Sequence, residues 1–170
     1  WSLPGMAERT VVVSSLSKSH AVPGFRSGWI IGPPQLTGHL AKLVLCMLYG
    51  GPPFIQAGAL VALTEDCPQV AEMAEAYQRR AGIMAAILKD VPGLGARAPE
   101  GGMFVMLDVR GTGLSSAAFA DGLLDSQGVA TLSCDAFGPS AVGHLRISLA
   151  APDPRIEEAA RRIARYAGSL

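Results

Sequence analysis

The sequence predicts an α/β fold, because two kinds of segment alternate along the chain. Short apolar runs, some of them β-branched, have the length of strands at residues 10–14, 103–109 and 144–149. Longer segments at residues 69–88 and 153–167 repeat apolar residues every three or four positions, as amphipathic helices do. Clusters of glycine and proline separate these segments, so strands and helices succeed each other over the 170 residues.

The first third of the chain contains two predicted strands and two predicted helices. The β-branched residues 10–14 are typical of a buried strand, and residues 28–32 form a second apolar strand that two prolines end. Leucine and methionine at helical spacing predict a buried helix over residues 36–49. After a glycine–proline break, the alanine-rich residues 54–63 predict another helix.

The remaining residues begin with the long predicted helix at 69–88, and shorter predicted strands and helices follow it. We predict strands at 103–109, 129–132 and 144–149, and a helix over 115–125 whose first residues carry hydroxyl groups suited to an N-cap. The last helix, 153–167, has Asp153 as its predicted N-cap and Pro154 in its first turn.

Composition excludes several classes of function. The net charge is zero and no basic stripe is present, so neither nucleic acid nor an anionic membrane surface is an expected partner. The apolar run at 36–49 is too short to span a bilayer. The histidines lack the spacing of metal ligands, and no metal site is predicted. The cysteines match neither a disulfide framework nor a zinc site, which fits a reducing cytoplasm: Cys46, Cys67 and Cys134.

The most specific pattern in the chain lies between residues 15 and 28. Lys18 follows the first strand in a turn that also contains Ser15 and Ser17, and Arg26 lies eight residues later between two glycines. A lysine amine can form a Schiff base with an aldehyde cofactor, and hydroxyl groups with an arginine can bind a phosphate. The pattern therefore predicts a site for pyridoxal phosphate (PLP); the alternative is a surface turn with solvated cations.

This pattern, S-x-S-K-x-x-x-x-x-G-x-R-x-G, resembles the signature of the class I/II aminotransferases, which are PLP enzymes of fold type I. The resemblance implies that Lys18 holds the cofactor as a Schiff base and moves protons during the reaction. It implies that Arg26 and Ser15 bind the cofactor phosphate, with Ser17 as a further candidate. The substrates implied are an L-amino acid and a 2-oxo acid.

A second candidate residue is Arg146, a single arginine inside the apolar strand at 144–149. A buried arginine without a partner is costly, so we expect it to have one. The resemblance implies that the partner is the α-carboxylate of the substrate, and the alternative is a structural ion pair. The preceding residues 129–138 resemble the active-site loop of the family, except that Ser133 and Cys134 stand where the family usually has Pro-Gly.

The resemblance also implies how the chain is organised. Residues 1–63 are expected to be the end of the large PLP-binding domain, and residues 64–170 the small C-terminal domain with a bridging helix. The chain is then the C-terminal part of a longer protein that forms a homodimer. The family's carboxylate for the pyridine nitrogen and its ring-stacking aromatic are not identifiable here, so we expect the isolated chain to be inactive.

Three more specific hypotheses remain open. Residues 45–56, together with the lysine pattern, resemble arginine–pyruvate transaminases. A fold type I C–S lyase would share Lys18, Arg26 and Arg146, and its products, ammonia and pyruvate, would distinguish it. An aminotransferase-like effector domain of a transcriptional regulator would need a winged helix-turn-helix, and no such pattern is present in these residues.

Overall fold

The computed structural model describes all 170 residues, which form two compact units: Trp1–Ala71 and Glu72–Leu170. Helices and short strands alternate along the chain, which confirms the predicted α/β class. The division between the units lies inside the long helix α4 (Pro68–Leu88).

The first unit is built on a pair of antiparallel strands followed by helices. Its elements are β1 (Val12–Ser15), α1 (Leu16–Ser19), β2 (Gly28–Ile31), α2 (Pro34–Leu48) and α3 (Pro53–Thr64). Ser15 lies opposite Gly28 at the end of the strand pair, and the Leu16 amide donates to the Ser27 carbonyl 3.2 Å away. These bonds join the two ends of the turn that contains the lysine pattern.

The predicted burial of this unit is wrong. In the strand expected to be buried, Val13 is 73% exposed, and no residue of α2 is buried. Leu16 is the only buried apolar residue of the unit. Apolar periodicity predicts which faces avoid water, but burial also requires a neighbour, and no other residues of the chain cover these faces.

The second unit contains a four-stranded antiparallel sheet and three helices. Besides most of α4, its elements are β3 (Gly95–Ala96), β4 (Phe104–Asp108), α5 (Ser116–Gln127), β5 (Leu132–Ser133), β6 (His144–Ser148) and α6 (Asp153–Ala167). The strand order is β3-β4-β6-β5. The sequence predicted β4, α5, β6 and α6 closely, missed β3 and placed β5 too early.

One face of this sheet forms the core. Alternate residues of β4 and β6 point to that face, and helix side chains pack on it. The buried residues include Val105 and Leu107 of β4, Leu145 and Ile147 of β6, and Met84, Phe119 and Ile163 of the helices. Arg146, between Leu145 and Ile147, therefore lies on the opposite face and is only half-buried, which corrects the prediction of a buried arginine.

The start of α6 also differs from the prediction. Asp153 is the first residue of the helix rather than its N-cap, which is Pro152. Its carboxylate accepts hydrogen bonds from Arg79 Nε at 2.6 Å and Arg80 Nε at 2.7 Å. These ion pairs hold the pKa of Asp153 at about 2 and tie α6 to α4.

None of the helices combines the length and the apolar character needed to cross a membrane.

Candidate functional site

Lys18 lies in the single turn of α1, directly after β1. Its side chain is exposed and forms no ion pair or hydrogen bond, so its amine is accessible. Ser15 ends β1 and Ser17 precedes the lysine, and both are half-buried without a side-chain hydrogen bond. The neighbouring Ser19 hydroxyl bonds instead to the ring of His20, with 2.9 Å between Oγ and Nδ1.

Arg26 lies at the other end of the same turn and has an unusual backbone. Its φ of 52° places it in the left-handed region, which residues other than glycine adopt rarely and which is enriched at ligand sites. Its Nη1 donates to the Pro23 carbonyl at 2.8 Å, and the remaining N–H groups of the guanidinium have no partner. The arginine is exposed, and no side-chain contact joins it to Lys18.

The two glycines that flank Arg26 differ in what surrounds them. A Cβ at Gly28 would lie 2.6 Å from the Ser14 carbonyl oxygen, so only glycine allows the strands to pair here. A Cβ at Gly24 would meet nothing within 4 Å. The conformation of the turn thus depends on Gly28, and Gly24 leaves open space beside the arginine.

A wide depression of about 1250 Å³ lies in the first unit, and Arg26 and Ser27 line it. The rest of its wall is largely apolar and includes Trp29, Leu40 and Phe54. Lys18, Ser15 and Ser17 are not part of the wall. The structure therefore has the four residues predicted to bind PLP in one turn but does not gather them in one cavity.

Arg146 lies on the open face of the second unit's sheet between two aromatic rings. Its Cζ is 4.4 Å from the ring centre of Phe104 and 5.4 Å from that of Phe137. No carboxylate pairs with it and its N–H groups make no hydrogen bond, so the structural ion pair considered from the sequence is absent. Both rings lie within cation–π distance of the guanidinium, and its unbonded N–H groups are available to a planar acceptor such as a carboxylate.

The two residues that replace the family's Pro-Gly are fitted into the structure beside Arg146. Leu132 and Ser133 of β5 pair with Arg146 and Leu145 of β6, and the Cys134 amide donates to the His144 carbonyl at 2.9 Å. Burial raises the pKa of the Cys134 thiol, and the positive charge of Arg146 partly opposes that shift. The Cys134 side chain is fully buried and packs on the same part of the sheet as the arginine.

The structure adds a polar network that the sequence did not predict. The buried Ser116 hydroxyl donates to Asp135 Oδ1 at 2.6 Å, and the Gly143 amide donates to the same oxygen at 3.0 Å. The Ser133 hydroxyl lies 2.9 Å from that of Ser116. These bonds lower the pKa of Asp135, the one to Ser116 contributing most. No periodic pattern could reveal them, because the bonded residues are separated by 8 to 19 positions and belong to different elements.

A comparison with protein families gives a match that covers nearly the whole chain. Residues 2–163 match the family described as aminotransferase class I and II. Two curated relatives span almost the same residues. The arginine–pyruvate transaminase AruH of Pseudomonas aeruginosa is 54% identical over 99% of this chain, and the putative aminotransferase YugH of Bacillus subtilis is 33% identical over 97%.

Solved structures of aminotransferases superpose closely on the chain. A crystal structure of an aromatic aminotransferase from Pyrococcus horikoshii matches 96% of it with a TM-score of 0.92 at 33% identity. The aspartate aminotransferase of Rhizobium meliloti matches 98% with a TM-score of 0.90 at 29% identity. The architecture is therefore that of fold type I, as the sequence predicted.

The chain spans less than half the length of these proteins, 43% of the Pseudomonas relative and 44% of the Pyrococcus structure. Within that share the agreement is continuous, because the family model, the relatives and the structures all match nearly every residue. The chain belongs to the class I and II aminotransferases.

Proposed function

We propose that the chain is part of a PLP-dependent aminotransferase that moves an amino group from an L-amino acid to a 2-oxo acid. In this proposal residues 1–63 belong to the large PLP-binding domain and residues 64–170 to the small domain. The family membership and the names of the relatives support the reaction class. The 54% identity to an arginine–pyruvate transaminase makes arginine and pyruvate the first substrates to test.

The observation on which the proposal chiefly rests is the environment of Arg146. Its guanidinium lies between the Phe104 and Phe137 rings with every N–H group free. Arginine binds a carboxylate through two parallel N–H bonds, and the rings hold its plane in one orientation. Arg146 would therefore bind and orient the α-carboxylate that amino acids and 2-oxo acids share.

The residues of the lysine turn fit PLP as a ligand. An exposed free amine and a guanidinium with unused N–H groups stand beside two unpaired serine hydroxyls, which together suit an aldehyde that carries a phosphate. When bound, PLP supplies the electron-accepting ring that amino-group transfer requires. Lys18 would hold the cofactor covalently through Nζ and would later accept and donate a proton at that atom. Arg26 and Ser15, with Ser17, would bind the phosphate.

Borohydride trapping tests the role of Lys18. The chain and its Lys18→Ala variant are incubated with PLP, reduced and digested, and the pyridoxyl group is located by mass spectrometry. We expect labelling of Lys18, with Lys42 and Lys89 as internal controls, because only Lys18 has a phosphate-binding arginine in its own turn. Equal labelling of all three lysines would contradict the proposed site.

We also propose that the isolated chain has no steady-state transaminase activity and that the full-length protein is a homodimer. The chain spans 43% of the arginine–pyruvate transaminase, and neither a carboxylate for the pyridine nitrogen nor a stacking aromatic is identified in it. Product analysis of the full-length protein separates the alternatives. Alanine formed from pyruvate indicates a transaminase, ammonia from a sulfur amino acid indicates a lyase, and neither product indicates a binding domain.

A further inference from the structure

We propose that Asp135 is a positioning residue for the substrate-carboxylate site, because it holds the loop that places Phe137 over Arg146. The inference rests on the proposed function, in which Arg146 binds the carboxylate of the substrate. This loop, the 135–143 loop, lies between β5 and β6 and contains two single turns of 3₁₀-helix.

Asp135 joins the two ends of this loop. Its Oδ1 accepts the Gly143 amide at 3.0 Å, which is a bond between the first and last residues of the loop. The same oxygen accepts the hydroxyl of Ser116, the first residue of α5, at 2.6 Å. Because Ser116 is fully buried, this bond ties the loop to the packed part of the unit.

The backbone on either side restricts the loop further. The Cys134 amide bonds to the His144 carbonyl just outside the loop, and the Ser133 hydroxyl joins the network through Ser116. Gly143 has a φ of 76° and packs against the side chain of Arg110, so its position has little freedom. The loop is therefore held at both ends, and Asp135 is its only side chain that bonds to either end.

Phe137 depends on this support for its ring, because its own hydrogen bond joins only its backbone amide to the Cys134 carbonyl at 2.8 Å. Its side chain is 58% exposed, although its ring centre lies 5.4 Å from Arg146 Cζ. Phe104 is fixed differently, by its place in β4 diagonal to Arg146 on the sheet. One ring is thus positioned by the sheet and the other by the loop. Without the bonds of Asp135 we expect Phe137 to leave the arginine and the guanidinium to lose its single orientation.

The first experiment tests the positioning without any ligand. In ¹⁵N- and ¹³C-labelled chain, the ring currents of Phe137 shift the side-chain NMR signals of Arg146, and Phe137→Ala gives the signal positions without the ring. We expect Asp135→Ala to move the Arg146 signals most of the way to those positions. Asp135→Asn should leave them in place, because an amide oxygen still accepts both hydrogen bonds. Asp125→Asn, an exposed α5 residue without an ion pair, is the matched control.

The second experiment uses pyruvate as the carboxylate probe and follows the Arg146 Nε–H signal during a titration. We expect saturable binding in the wild type and its loss in Arg146→Gln. In Asp135→Ala we expect a dissociation constant about tenfold higher, because the two hydrogen bonds that the Asp135 carboxylate accepts are lost. Asp135→Asn should stay within about twofold of wild type. Since Asp135 acts through Phe137, adding Asp135→Ala to Phe137→Ala should weaken binding no further.

The outcomes separate the two claims. Absence of pyruvate binding, or binding unchanged in Arg146→Gln, would overturn the carboxylate site of the proposed function, whatever the ring-current result. Arg146 signals unmoved by Asp135→Ala would overturn the positioning role, even with pyruvate bound normally. Equal losses in Asp135→Asn and Asp135→Ala would assign the effect to charge and overturn the role as well, as would additive losses in the double variant.

Discussion

The two units of the chain use similar apolar sequences with opposite results. Sixteen of the seventeen buried apolar residues belong to the second unit, whereas eighteen of the twenty-four exposed large apolar side chains belong to the first. The second unit folds a sheet against three helices and covers its own apolar faces. The first unit has two short strands and helices that leave theirs open.

This difference separates patterning from packing. An amphipathic pattern determines which side of an element is apolar, but the stability gained depends on the area removed from water. In the second unit that area is removed within the unit itself. In the first unit eighteen large apolar side chains remain exposed, so we expect its apolar residues to contribute little stability within the chain.

A pair of phenylalanine variants gives the largest expected contrast. Phe119 is fully buried and packs edge-to-face on Tyr166, while Phe54 is 75% exposed. We expect Phe119→Ala to lower the free energy of unfolding by about 3–5 kcal/mol and Phe54→Ala by less than about 0.5 kcal/mol. Urea unfolding followed by circular dichroism measures both. Similar losses for the two variants would refute the contrast between the units.

Tryptophan fluorescence sharpens this test, because both tryptophans, Trp1 and Trp29, belong to the first unit. A transition seen by fluorescence reports that unit alone. If Phe119→Ala shifts the circular dichroism transition and leaves the fluorescence transition in place, the two units unfold independently.

Glycine substitutions should give a smaller effect that differs in sign between packed and open sites. A Cβ at Gly122 of α5 would overlap the Tyr166 hydroxyl, so we expect Gly122→Ala to destabilise the chain by about 1–3 kcal/mol. Gly38 of α2 and Gly82 of α4 have open space around them, and alanine there should stabilise the helices by roughly 0.5–1 kcal/mol. Thermal unfolding measures all three, and a stabilising Gly122→Ala would show that the α5–α6 contact is loose.

The smallest expected effect concerns the ion pairs of Asp153 at low pH. Its pKa is about 2 in the folded chain against an ordinary value of 3.8, so its stabilising contribution is complete above about pH 4 and is lost as the pH falls toward 2. Asp153→Asn should therefore be less stable than wild type at pH 7 and closer to it at pH 2. Urea midpoints at both pH values measure this, with Asp125→Asn as the control. If Asp153→Asn were less stable than wild type by the same amount at pH 7 and at pH 2, the ion pairs would be excluded as the cause.

Much of the fold could be predicted from the sequence, because helix caps and the alternation of a strand depend on residues close together in the chain. The Ser115 hydroxyl caps α5 by accepting the Ala118 amide, as its position before an apolar helix indicates. The strands β4 and β6 have the alternation that their burial requires. The two-residue β3 carried too little pattern to be found, since it exists through its pairing with β4.

The candidate site was predictable only in part. Lys18 and Arg26 stand out because they share one short motif, and that motif coincides with a turn joined at both ends by strand pairing. Phe104, Phe137, Ser116 and Asp135 could not be assigned, since no local periodicity shows that they meet Arg146 or one another. The sequence predicts a helix cap at Asp153 for the same reason, because its arginine partners lie more than 70 residues earlier.

The sequence by itself determined the α/β class, most helices, the family signature and the position of its lysine, because spacing, hydrophobic period and residue chemistry act over a few neighbouring residues. Tertiary structure alone decided which apolar faces are buried, that Arg146 lies between two rings without an acidic partner, and that Asp135 holds the loop beside it. Burial and charge pairing depend on what arrives from elsewhere in the chain, and the order of residues does not specify that locally.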